Sequence, residues 1–153
     1  GVAPVTVLTQ LLGSGEVTAD GDMPGNRLNC GRFVATVTGS MTEFRVKCKV
    51  ACNIKCGLYS SVSNLPSVRL AVVGSVACDV GWNTISFPST PIVKDTVYWM
   101  ATNCDVGRSI IWANTPGTLK VKLLSFASAF PNPAGFFPDT WNWTIANTGW
   151  GYV

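Results

Sequence analysis

Along this chain, apolar residues recur at every second position in short runs, and turn residues break the runs roughly every 8–15 residues, the spacing of strands in a sandwich or barrel. The runs predict strands over Val5–Leu12, Arg32–Val37, Glu43–Val50, Ile54–Tyr59, Arg69–Val73, Trp82–Pro88, Val97–Thr102, Ile110–Ala113 and Leu119–Leu124. Between them lie Ala19-Asp20-Gly21-Asp22-Met23-Pro24-Gly25-Asn26, Thr38-Gly39-Ser40, Ser63-Asn64-Leu65-Pro66 and Thr115-Pro116-Gly117, clusters of the residues that turns prefer. No run keeps a helical period over about ten residues. The expectation is an all-β sandwich of about 8–10 antiparallel strands with minimal helix, in a single domain over 1–153 without internal repeat or linker.

Composition sharpens this picture. Hydrophobic residues make up 47% of the 153 and charged residues only 12%, about half the usual charged share, and the mean hydropathy is +0.29. Such a chain has too little charge to stay unfolded and too little to coat its surface. That favours burial against copies of itself or another partner. The net charge of +3 is far below the concentration of charge that nucleic-acid binding draws on. Arg45, Lys47, Lys49 and Lys55 read instead as one solvated strand face that discourages unwanted edge pairing. No apolar stretch reaches the roughly 18 residues of a membrane-spanning helix. The chain begins at Gly1, which points to a processed or trimmed form whose export signal would already be gone. The segment Val2–Leu12 has no basic leader, carries Pro4, Thr6, Thr9 and Gln10, and reads as a strand.

The six cysteines, Cys30, Cys48, Cys52, Cys56, Cys78 and Cys104, are disulfide candidates that point to an oxidising compartment, with about 15 pairings open for three bridges. The alternation Phe44-Arg45-Val46-Lys47-Cys48-Lys49-Val50, continued by Ile54, Cys56 and Leu58, turns Cys48 and Cys56 inward. They would lie opposite one another in a hairpin centred on Cys52, unless the second strand joins the other sheet. Zinc is a poor fit, because the spacing of four departs from the usual ligand patterns and the chain has no histidine.

The absence of histidine also removes Ser-His and Cys-His catalysis. The carboxylates Glu16, Asp20, Asp22, Glu43, Asp79, Asp95, Asp105 and Asp139 are scattered, mostly in turns, rather than paired for glycoside chemistry. Asp20-Gly21-Asp22 could join a calcium site with loop carbonyls, on the thin basis of two carboxylates. No enzyme is expected. The tail 126–153 gathers Phe130, Phe136, Phe137, Trp141, Trp143, Trp150 and Tyr152 among prolines and glycines. Such a segment either closes the core or offers stacking surfaces, and Trp141, Trp143, Trp150 and Tyr152 are the candidates to meet a ligand or partner.

Four segments, Gly57-Leu58-Tyr59, Asn64-Leu65-Pro66-Ser67-Val68-Arg69-Leu70, Gly81-Trp82-Asn83-Thr84-Ile85 and Val97-Tyr98-Trp99-Met100-Ala101, resemble a recurring extracellular jelly-roll module. The likeness also takes in Asn29–Val37, Met41–Val50 and Phe130-Pro131-Asn132-Pro133. The resemblance implies a jelly-roll β-sandwich of carbohydrate-binding type, as found in secreted, cell-surface and phage structural proteins. Trp82 with Ile85 and Phe87, and Val97 with Trp99 and Ala101, would each fill one strand face, with Gly81 allowing a tight entry. Lys94-Asp95-Thr96 stands where the module has a glycine.

Two functions follow as expectations. In the first, the chain is an extracellular or virion-surface subunit that polymerises with itself, as a filament or shell. The apolar residues Val2, Val5, Val7, Leu8, Leu11 and Leu12 then form a strand that a neighbour accepts; alternatively, that strand pairs within its own sheet. In the second, the tail tryptophans stack on surface glycans. Asn142-Trp143-Thr144 is an N-glycosylation sequon.

Overall fold

The structure, a computed structural model, describes residues 7–14, 21–107, 112–113 and 117–153. These contain no helix and form strands β1 (Leu8–Gly13), β2 (Arg27–Val34), β3 (Gly39–Cys48), β4 (Cys52–Val62), β5 (Leu65–Cys78), β6 (Gly81–Ile92), β7 (Val97–Cys104), β8 (Trp112–Ala113), β9 (Leu119–Leu123), β10 (Asp139–Trp141), β11 (Thr144–Ile145) and β12 (Asn147–Tyr152). They make a β-sandwich. One sheet has the order β1-β12-β3-β6 and the other β10-β9-β2-β7-β4-β5, with β8 and β11 as a separate short pair. Every pairing is antiparallel. From β1 to β7 the chain changes sheet at each step except β4 to β5.

That exception is a hairpin. Val62 pairs with Leu65, and the two residues between them, Ser63 and Asn64, both have positive φ, 51° and 59°. This is the geometry of a tight turn whose twist matches the flanking strands. Asn64 is held there as its Oδ1 accepts a 2.6 Å hydrogen bond from Arg32 Nε. The turn before β7 uses Asp95 at φ 66°; aspartate tolerates this region better than most residues. Gly81 enters β6 at φ 97°, the tight entry expected of it.

The central strands of the six-stranded sheet are buried on both faces. On its inner face Ile54, Cys56, Leu58, Met100, Leu119 and Val121 meet Leu11, Leu12, Met41, Phe44, Val46, Ile85 and Phe87 of the four-stranded sheet. On its outer face Leu28, Cys30, Tyr59, Trp99 and Ala101 are covered by Phe130, Ala134 and Phe137 of the tail. Strand β7, in the middle, is therefore buried at every position after Val97.

The tail cover is fixed by polar ties at its rim. Tyr59 donates its hydroxyl proton to the Pro131 carbonyl (2.7 Å), and Arg69 donates to the Phe130 carbonyl (2.6 Å). Asn103 Nδ2 donates to the Leu124 carbonyl (3.0 Å). Lys122 donates to the Ala134 carbonyl and lies 4.4 Å from the Phe137 ring centre. Of the tail aromatics, Phe130 and Phe137 thus close a core, while Phe136 stays exposed.

Three expectations change. Trp82 is 39% exposed, while Ile85 and Phe87 are buried; residue 82 has the opposite strand parity to 85 and 87, and period-2 alternation sends it outward. Arg45 and Lys47 do face away from the core, but β3 lies between β12 and β6 and is no edge; Arg45 pairs with Glu43 at 2.8 Å. Finally, the tail supplies β12 to the middle of a sheet. Its glycines make that possible: a Cβ on Gly151 would lie 1.7 Å from the Ser40 carbonyl oxygen, and one on Gly149 2.8 Å from Met41 Sδ.

Candidate functional site

Strand β1 forms one edge of the four-stranded sheet. It pairs with β12 of its own chain, from Leu8 opposite Tyr152 to Gly13 opposite Thr148. A register shift between Gln10 and Leu12 lets the consecutive residues Leu11 and Leu12 both turn inward, as a β-bulge does, and both are fully buried. The Leu11 carbonyl accepts from Thr36 N (3.1 Å), and Ser14 N donates to the Asn147 carbonyl (3.0 Å). Leu8 is half-buried and Val7 exposed. Val2 and Val5 lie outside the described residues. Of the two expectations for this strand, pairing within its own sheet is the arrangement found in the single chain.

The other sheet ends in β5, the longest strand. Leu65, Val68, Leu70 and Val72 are exposed along it, and its one charged side chain, Arg69, is turned onto the tail. Register shifts against β4 interrupt it at three places, so this edge is apolar but irregular. Edge β6 carries Pro88 and Pro91, residues that deny a neighbour its hydrogen-bond donors. Edge β10 spans three residues.

The four aromatic candidates fall in two places. Trp141 and Trp143 line a hollow of about 570 Å³ together with Asp22 and Pro24, a volume in the range of small-molecule sites. Trp150 and Tyr152 are on β12 instead. Trp150 lies under the Arg45 guanidinium, 4.3 Å from its ring centre, and donates Nε1–H to Thr148 Oγ1 (2.8 Å). Both tryptophans of the hollow stand out in the sequence, whereas its other wall, Asp22 and Pro24, comes from a segment remote in the chain.

Asp22 is engaged by Lys49 Nζ at 3.8 Å, Asp20 lies outside the described residues, and among the described residues no group of three or more acidic, cysteine or histidine side chains could hold a metal ion. Calcium therefore gains no support here.

All six cysteines are buried and no disulfide joins them, so the expectation of up to three bridges gains no support. One reason is architectural: Cys30 belongs to the outer core, while the other five belong to the inner one. The hairpin that would oppose Cys48 to Cys56 does not form either, because β3 and β4 are in different sheets. Cys48 instead has its Sγ 4.0 Å from that of Cys52. Burial pushes the Cys30, Cys48 and Cys56 thiols well above the usual range, a shift that the neighbouring Cys52 and Cys78 reinforce at Cys48. Such thiols are mostly protonated, so exchange at them is slow and depends on a second sulfur held in contact.

No helix among the described residues is long and apolar enough to cross a membrane. Comparison with protein-family models returns no match, and comparison with curated proteins returns none either.

Proposed function

We propose that the protein is a self-assembling extracellular structural subunit, polymerising with copies of itself by strand addition and apolar contact. The observation that carries this reading is β1: an edge strand, joined to the rest of the fold through residues 14–26, that delivers two fully buried leucines to the core. A strand of this kind is exchangeable between identical copies at low cost, because the neighbour's β12 and core offer it the same partners. The exposed apolar side chains of β5 add a contact surface in a chain with few charges.

The strand orders support a jelly roll, with β1-β12-β3-β6 facing β2-β7-β4-β5 and β9 and β10 extending the second sheet. Negative-stain microscopy of the purified protein tests the function. Filaments or closed shells are expected; monodisperse single particles at high concentration would refute it.

A second reading, glycan binding, is favoured by the hollow that brings Trp141 and Trp143 beside Asp22. Indole faces stack on sugar rings while a carboxylate accepts from hydroxyls. Affinity electrophoresis in gels cast with neutral polysaccharides tests it, with retardation expected for the native protein and lost in Trp141→Ala.

A further inference from the structure

Two crossings between the sheets run side by side at one end of the sandwich. The chain leaves β3 at Cys48, passes Lys49-Val50-Ala51 and enters β4 at Cys52. It leaves β5 at Cys78, the register partner of Cys52, passes Asp79-Val80 and enters β6 at Gly81, the register partner of Cys48. The circuit is thus closed by four positions, three of them cysteine. Within it the Cys48 and Cys52 sulfurs are already 4.0 Å apart, and only three residues carry the chain between them from one sheet to the other. Cys104 reaches the same end from β7, opposite Ile54, with its Sγ 3.3 Å from the Val106 carbonyl oxygen. Cys30 is on the far side of the sheet.

We propose that Cys48 and Cys52 form a disulfide that clamps the two sheets at this crossing. Cys52 is the point of entry, since it is 8% exposed while Cys48 is fully enclosed. The Cys52 thiolate attacks a small-molecule disulfide such as glutathione disulfide, releasing one glutathione thiolate and leaving a mixed disulfide. The Cys48 sulfur, losing its proton, then attacks the Cys52 sulfur and expels the second glutathione. Two protein thiols are oxidised and one glutathione disulfide is reduced. Cys78 remains a thiol beside the new bond.

The sequence makes the test clean. Trypsin cleavage after Arg27, Arg32, Lys47, Lys49, Lys55, Arg69, Lys94 and Arg108 places each of the six cysteines in a peptide of its own. The folded chain is incubated with glutathione disulfide, its remaining thiols are alkylated, and it is digested without reductant for mass spectrometry. Peptide 48–49 is expected joined to 50–55, or an uncut 48–55 two hydrogens short, with Cys30, Cys56, Cys78 and Cys104 alkylated. The link should survive in Cys78→Ser and vanish in Cys48→Ser. Peptide 50–55 joined to 70–94, or all six cysteines alkylated after prolonged oxidation, would overturn the assignment.

Discussion

The two sheets of this sandwich end in edges of opposite character. Edge β1 is short and hides its side chains: Leu11 and Leu12 are in the core, and the strand's backbone is matched to β12 through most of its length. Edge β5 is long and shows its side chains, with Leu65, Val68, Leu70 and Val72 in the open, but its register against β4 slips repeatedly. An irregular edge is a poor template for another strand, and bulges are one of the devices that protect edges. The difference teaches which edge can exchange and which can only touch: β1 carries information in both backbone and side chains, whereas β5 offers apolar area alone.

The comparison can be broken most severely at the strand that receives β1. Gly151→Ala puts a Cβ into the Ser40 carbonyl and should prevent β12 from seating, with loss of the cooperative unfolding transition in urea. Next is the donor itself. Leu12→Ala leaves a cavity between the sheets and should cost about 3 kcal/mol of stability, read from the shift in denaturation midpoint; a loss below about 0.5 kcal/mol would mean that β1 does not fill the core. On the other edge, Leu70→Lys should leave stability within about 0.5 kcal/mol, as surface substitutions do, while weakening self-association in sedimentation velocity.

The smallest effect concerns acid. Asn53 donates to Asp105 through its side chain (2.7 Å) and its backbone N–H (2.8 Å), and these bonds hold the carboxyl below the usual carboxylate range. A lowered value means that the tie stabilises the fold above the ordinary carboxylate range and is lost as pH falls through the lowered value. The protection factor of the Asn53 amide, at the start of β4, should therefore fall on acidification, and Asp105→Asn should abolish that dependence.

Much of the sandwich was legible because exposed faces alternate cleanly, as in β3 and β9. Strand β2 begins earlier than its apolar pattern predicts because Asn29 points into the core beside Thr102, so Arg27–Cys30 does not read as an apolar run. Strand β12 was invisible for the reason that makes it work: its glycines read as a turn, yet they are what the space between β1 and β3 admits. Trp82 follows strand parity rather than its motif: period 2 turns it outward although the motif predicts a core position. For the site, Trp141 and Trp143 stood out as types, but Asp22 and Pro24 reach the hollow by tertiary folding alone. The cysteine geometry depended on which sheet β4 joins, a choice that local alternation does not encode.

The exchange of β1 is tested most directly by comparing the full chain with one beginning at Gly13, by sedimentation velocity and negative-stain microscopy. The full chain should form polymers. The shortened chain should form no polymers on its own, and a synthetic peptide of residues 1–12 should bind it and restore a stable monomeric fold. Polymers of unchanged form from the shortened chain would contradict the account.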